Sequence, residues 1–158
     1  MKLTEIVHKD GIVAALTSTR RDDAITELVD ALITAGGVSK TLKNDLIKSV
    51  LERESRGSTG FGKGVAVPHV KHPKIKAMTA CIGNSDQGIE FNALDKQPVY
   101  SVVLLLSPAD QPEQHLQAME VIFKNLSQDT FRRFLRQAST VDEVWTLLED
   151  ADADKLVG

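Results

Sequence analysis

"VYSVVLLLS", residues 99–107, decides the fold. The run is apolar at almost every position, so no polar face alternates with an apolar one. A strand exposed on one side alternates; a strand covered on both sides does not. Residues 99–107 therefore read as the central strand of a sheet. "AMTACIG" (77–83) reads as a second strand, with "SDQG" (85–88) as the turn between the two. "VAV" (65–67) is a third, short strand that Pro68 stops.

Helical patterns flank these strands. In "DDAITELVDALITAGG" the apolar residues fall at 25, 28, 29, 32 and 33, which makes one stripe along a helix. Gly36 and Gly37 end it with a left-handed cap. "SKTLKNDLIKSVLERE" follows, with Ser39 as N-cap and Leu42, Leu46, Ile47, Val50 and Leu51 on one face. After the strands, "QPEQHLQAMEVIFKNL" has Pro112 at its start, "DTFRRFLRQA" has Asp129 as N-cap, and "TVDEVWTLLED" has Thr140 as N-cap. Asp142 and Glu143 sit in the first turn of this last helix, where the dipole favours anions. "ADADKLVG" (151–158) reads as a frayed tail. The order is helices, strands, helices: an α/β fold with a mixed β-sheet flanked by α-helices, expected as one domain over residues 1–158.

The totals narrow the function. The chain has 158 residues, 42 % hydrophobic and 26 % charged, which suits a folded domain. Its net charge of −3 argues against general nucleic-acid binding. "VVLLL" is too short to span a bilayer, and "MKLTEIVHKD" has no signal-peptide core. No membrane insertion and a cytoplasmic location are expected. Cys81 is the one cysteine, so no internal disulfide can form, and its apolar strand setting reads as buried and inert.

One segment departs from the average. "RGSTGFGKGVAVPHVKH" (56–72) joins a glycine-rich, hydroxyl-bearing loop to two histidines. From Arg53 to Lys76 there are six Lys/Arg and one acid, a local charge of +5, which leaves −8 for the rest. Glycines let backbone N–H groups approach an anion, and hydroxyls add donors. Read from residues alone, the segment fits either an anion site or a solvated basic loop. Pro68 constrains where His69 leaves the strand. His115 lies at a helix start beyond the apolar strand, a common setting for an anion site. His69 and His72 are three apart, but zinc needs three or four ligands and no thiolate pair is present. There is no phosphate-loop motif, so nucleotide use is not indicated, and no cofactor or metal is expected.

"RE" (53–54), "GSTGFGKGVAVPH" (57–69) and "GIEFNALDKQPVYSVVLLLSPADQPEQHLQAM" (88–119) together resemble the enzyme IIA proteins of the bacterial phosphoenolpyruvate:sugar phosphotransferase system. The resemblance is to the fructose/mannitol class, which includes a stand-alone nitrogen-regulatory type, and it runs over roughly residues 4–149. It implies that His69 accepts a phosphoryl group from HPr or its nitrogen-branch paralogue. The group then goes to an enzyme IIB, or stays as a regulatory mark read by a kinase or transporter. It implies that Arg53 and His115 line the same site, that Ser58, Thr59 and Gly60 supply loop donors, and that Nε2 of His69 reacts. Lys96 stands where the family often has a turn glycine.

The chemistry asks for these residue types. Imidazole titrates near ~6.5, so it can act as a neutral nucleophile while its second nitrogen donates a hydrogen bond that sets the tautomer. A phosphoryl group in flight spreads charge over three oxygens, which calls for donors aimed at them. Arg53 also suits a helix C-terminus, Thr59 a turn, and His115 simple packing. Two alternatives stand beside the carrier: a binding module that does not transfer, gated by His69 phosphorylation, and a metal-dependent hydrolase built on His69, His72 and His115. A monomer or weak dimer is expected.

Overall fold

In the computed structural model, which describes residues 1–156, the apolar run becomes β5 (Val99–Pro108) at the middle of the sheet. On one side it pairs antiparallel with β4 (Thr79–Ile89). On the other it pairs in parallel with β2 (Val65–Ala66) and then β3 (His69–His72). β1 (Gly60–Gly62) closes that edge as an antiparallel hairpin with β2. Single bridges from Val7, Val13 and Arg20 extend the sheet beyond β4. The sheet is mixed, as the element order predicts.

Strand parity builds two cores. Val65, Val67, Ala80, Ile82, Val103 and Leu105 face one side. There they meet α1 (Leu3–Ile6), α4 (Pro112–Leu126), α5 (Asp129–Gln137) and α6 (Val141–Asp152). Ala66, Cys81, Val102, Leu104 and Leu106 face the other, against α2 (Arg21–Thr34) and α3 (Lys43–Ser55). Burying both faces of β5 explains why its sequence does not alternate. Each large side chain so buried contributes about 1.5–3 kcal/mol of hydrophobic free energy.

Several local readings hold. Gly36 has φ +82, the left-handed cap after α2. Thr140 caps α6 by accepting from Glu143 N–H. Cys81 is buried and its thiol donates to the Gly11 carbonyl; burial pushes its pKa up to about 12.

Others need correction. Residues 85–88 are not a loop between strands but a bulge within β4, where Ser85 Oγ accepts from Gly88 N–H. Asn84 pairs with Ser101 and Ile89 with Val99, so β4 takes up the extra residues locally. The short strand does stop before Pro68, at Ala66, but pairing to β5 resumes at His69 as β3, and Pro68 still offers its carbonyl to Leu105 N–H. The glycine loop contains β1, since Gly62 and Gly64, with φ +115 and +78, allow the hairpin. Ser39 caps a 3₁₀ turn, Lys40–Leu42, that precedes α3. Asp129 is the first residue of α5 rather than its cap, and pairs with Arg132 and Arg133. The tail is not frayed from residue 151: Ala151 and Asp152 finish α6, and the Asp152 carboxylate accepts from Leu3 N–H, Thr4 N–H and the Thr4 hydroxyl. Val157 and Gly158 lie outside the described residues.

The turn at Lys96 keeps the geometry a glycine would take. Lys96 has φ +62 and donates its N–H to Ala93. Asp95 braces it, accepting from Gln97 N–H and, across to the β1–β2 hairpin, from Lys63 N–H, both at 3.1 Å. A side chain in the left-handed region costs roughly 1 kcal/mol that glycine avoids. Lys96→Gly is expected to stabilise the protein by about 0.5–1 kcal/mol, measured as a raised urea midpoint at unchanged slope.

Candidate functional site

The site grows where β3, which begins at His69, runs parallel to the carboxyl-terminal half of β5. His69 pairs with Leu105 and Lys71 with Ser107, so their side chains share the face that carries α4. Pro112 begins α4, which brings His115 into its first turns above that face. The His69 and His115 rings lie 5.6 Å apart between centroids, tilted by 47°. His115 is buried, and its Nδ1 stands 2.7 Å from the buried Ser107 hydroxyl.

The His69 ring is held by the chain just before it. Its Nδ1 lies 2.7 Å from the carbonyl of Val67. A carbonyl only accepts, so Nδ1 carries the proton and Nε2 keeps a free lone pair. Burial lowers the His69 pKa most, and the charges of Arg53 and Lys71 lower it too. The Val67 carbonyl and the Glu54 carboxylate oppose this. Of the six cations between Arg53 and Lys76, these two are the ones whose charge is felt at His69. The ring is thus neutral at neutral pH.

Arg53 lies in the last turn of α3 and donates from Nη1 to the Gly57 carbonyl at 3.0 Å. Thr59 is fully buried; its N–H and its hydroxyl both donate to the Glu54 carboxylate. Gly60 donates its N–H to Ser58 Oγ at 3.0 Å. A Cβ at Gly60 would come within 2.9 Å of Ala93, so this glycine serves close packing. The donors of Thr59 and Gly60 are therefore occupied within the loop, whereas the half-buried Ser58 hydroxyl keeps its own proton to give.

His72 does not join the pair. Three residues on in an extended strand, it turns to the other face. It is buried against α3, where Nδ1 accepts from Lys74 N–H and Nε2 is 3.9 Å from Asp45. The hydrolase constellation of His69, His72 and His115 is thus not assembled. Among the described residues no three metal-ligating side chains converge, and no helix is long and apolar enough to cross a membrane. Sequence reasoning gave no role to Ser107, and met Lys71 and Glu54 only in the run of cations and in the Arg-Glu pair; only the pairing of β3 with β5 and the end of α3 bring them in.

A neutral, tautomer-fixed histidine faces a second buried histidine, with the charges of Arg53 and Lys71 felt there: such an arrangement can hold an anionic group against an imidazole nitrogen. Residues 5–151 match the family model described as "Phosphoenolpyruvate-dependent sugar phosphotransferase system, EIIA 2". The chain belongs to this family. It is 31 % identical over 150 residues to a nitrogen regulatory protein of Bradyrhizobium diazoefficiens, covering 94 % of this chain and 95 % of that one. It is 29 % identical over 152 residues to a fructose-specific EIIABC component of Bacillus subtilis, covering 96 % of this chain but only 24 % of the relative's length. The crystal structure of the nitrogen regulatory protein IIA-Ntr from Neisseria meningitidis superposes with a TM-score of 0.82 at 28 % identity, covering 91 % of this chain and 97 % of that one.

The pH response of the site follows from His115. Burial first, then the His69 ring and the Lys71 charge, hold its pKa down to about 4. In the unfolded chain a histidine titrates near ~6.5. Between these values the unfolded chain binds a proton that the folded site refuses. Stability therefore declines as pH falls from about 6.5 towards 4. The downward shift of His69 acts in the same direction. In His115→Asn the amide can keep the Ser107 contact but cannot titrate. Urea unfolding at pH 7 and pH 4 is expected to show a smaller stability loss for the variant than for the wild type.

Proposed function

We propose that this chain is a phosphohistidine carrier: Nε2 of His69 accepts a phosphoryl group from the phosphohistidine of HPr or an HPr-like donor. It then hands the group to an enzyme IIB. The observation that carries this reading is the 2.7 Å bond from His69 Nδ1–H to the Val67 carbonyl, which leaves Nε2 as the nucleophile.

The transfer balances without a proton moving at His69. The donor ring, protonated on its other nitrogen, leaves as neutral imidazole as its N–P bond breaks. The new P–N bond forms at Nε2, and Nδ1 keeps its proton. The ring becomes cationic, a form that the Val67 carbonyl favours. Arg53 and Lys71 supply positive charge to the phosphoryl oxygens. With the Ser107 hydroxyl donating to Nδ1 of His115, Nε2–H of His115 is free to donate to the group. Ser58 adds a hydroxyl; Thr59 and Gly60 shape the loop rather than donate. Phe61, Leu94 and Leu116, all exposed, supply apolar surface for a protein partner. Phe61 belongs to the β1 hairpin and packs edge-on against Phe123 of α4, while Leu116 follows His115.

A second reading shares the site. The nitrogen regulatory relative spans the same length as this chain, which supports phosphorylation of His69 as a regulatory mark that gates a partner.

Intact-mass measurement after incubation with phosphoenolpyruvate, enzyme I and HPr or its nitrogen-branch paralogue tests the carrier. One acid-labile phosphate is expected on the wild type and none on His69→Ala. Arg53→Ala and His115→Asn are expected to take it up roughly 100-fold more slowly, the usual effect of losing one aimed donor. A wild type that stays unmodified with both donors overturns the reading. If the regulatory reading holds, the set of proteins retained by the wild type changes on phosphorylation, and that retained by His69→Ala does not.

A further inference from the structure

Glu54 has no part in the transfer described above, and its position is unfavourable. It is 3 % exposed and lies in the last turn of α3. An anion there meets the negative end of the helix dipole, and a buried carboxylate is costly unless its oxygens are satisfied. Both oxygens are satisfied by one residue: Thr59 donates its N–H to one at 3.1 Å and its hydroxyl to the other. The loop between is pinned as well, with Gly57 N–H on the Glu54 carbonyl at 3.1 Å and Arg53 on the Gly57 carbonyl.

From Thr59 the hydrogen bonds lead to His69. The Thr59 carbonyl accepts the N–H of Val67 at 3.1 Å. The carbonyl of the same Val67 accepts Nδ1–H of His69 at 2.7 Å. A run of hydrogen bonds therefore connects the buried carboxylate to the non-reacting nitrogen of the histidine. Which nitrogen of a histidine holds the proton is set by the bond the other can make. If the Val67 carbonyl swings away, Nδ1–H loses its acceptor and the proton is free to sit on Nε2, which blocks attack.

We propose that Glu54 is a positioning residue that, through Thr59 and Val67, holds the His69 ring in the orientation and tautomer that leave Nε2 free. Its effect on rate rests on the carrier reading; its effect on the ring does not.

The test is a long-range proton–nitrogen NMR spectrum of nitrogen-15-labelled protein, which reads the His69 tautomer directly, together with the rate of phosphoryl uptake. Wild type is expected to show the Nδ1–H form. Glu54→Gln keeps the volume but loses the charge, and Thr59→Val keeps the shape but loses the hydroxyl. Both are expected to show a mixture of tautomers and uptake slowed by about 10- to 100-fold, the effect of misplacing a reacting atom. Thr59→Ser keeps both donors and is expected to match the wild type in both readouts. A folded Glu54→Gln that is less stable but has an unchanged His69 tautomer overturns the proposal and makes Glu54 a purely structural anchor. Where Glu54→Gln does not fold, Thr59→Val decides by the same outcomes. If the wild type takes up no phosphoryl group, the carrier reading fails, and the tautomer spectra still judge this one.

Discussion

The arrangement of the site depends on the backbone of one residue, Val67, and the rigid residue after it. Val67 gives its N–H to Thr59 and its carbonyl to His69. Pro68 follows with φ fixed by its ring, so the chain enters β3 along a set path. Each of these hydrogen bonds adds only about 0.5–1.5 kcal/mol to stability. Their importance is directional. A histidine ring has two similar nitrogens, and the Val67 carbonyl makes them different.

The sheet adds the rest by parity. β3 runs parallel to β5, and successive side chains alternate between faces. His69, Lys71 and Ser107 therefore stand on the α4 side, and His72 on the α3 side. α4 then places His115 over the same face. Burial weighs against a proton on either histidine, and the neighbouring His69 ring and Lys71 add to it at His115. A proton on either ring would add a like charge beside Lys71, which weighs against it at both.

The loop before β2 plays a different part from the one its glycines suggest. Gly62 and Gly64 turn the hairpin, Gly60 admits Ala93, and the Thr59 donors are spent on Glu54. The positive field on His69 comes from side chains on α3 and β3 rather than from a backbone cradle. The exposed apolar residues Phe61, Leu94 and Leu116 lie on β1, on the turn bonded to it and on α4.

Much of this was legible in the chain itself. The unbroken apolar run of β5 means burial on both faces, and hence helices on both sides of a sheet. The helical stripes, the Gly36 cap and the Thr140 cap are local, and each was readable because the atoms involved are close in sequence. The motif at 57–69 and the later His115 marked the site, and the run of cations marked its sign. Other features could not be read there. That β3 resumes after Pro68 depends on an unpaired edge of β5 being available. That Glu54 is buried, that Ser107 supports His115, and that Arg53 and Lys71 weigh on His69 depend on which segments close on one another. Spacing along a chain determines which residues share a face of one strand or helix. Which faces then meet is decided by packing distant segments into one core; that step brought Ser107 to His115 and buried Glu54 against Thr59, whereas the two nitrogens of His69 are told apart by a carbonyl two residues back.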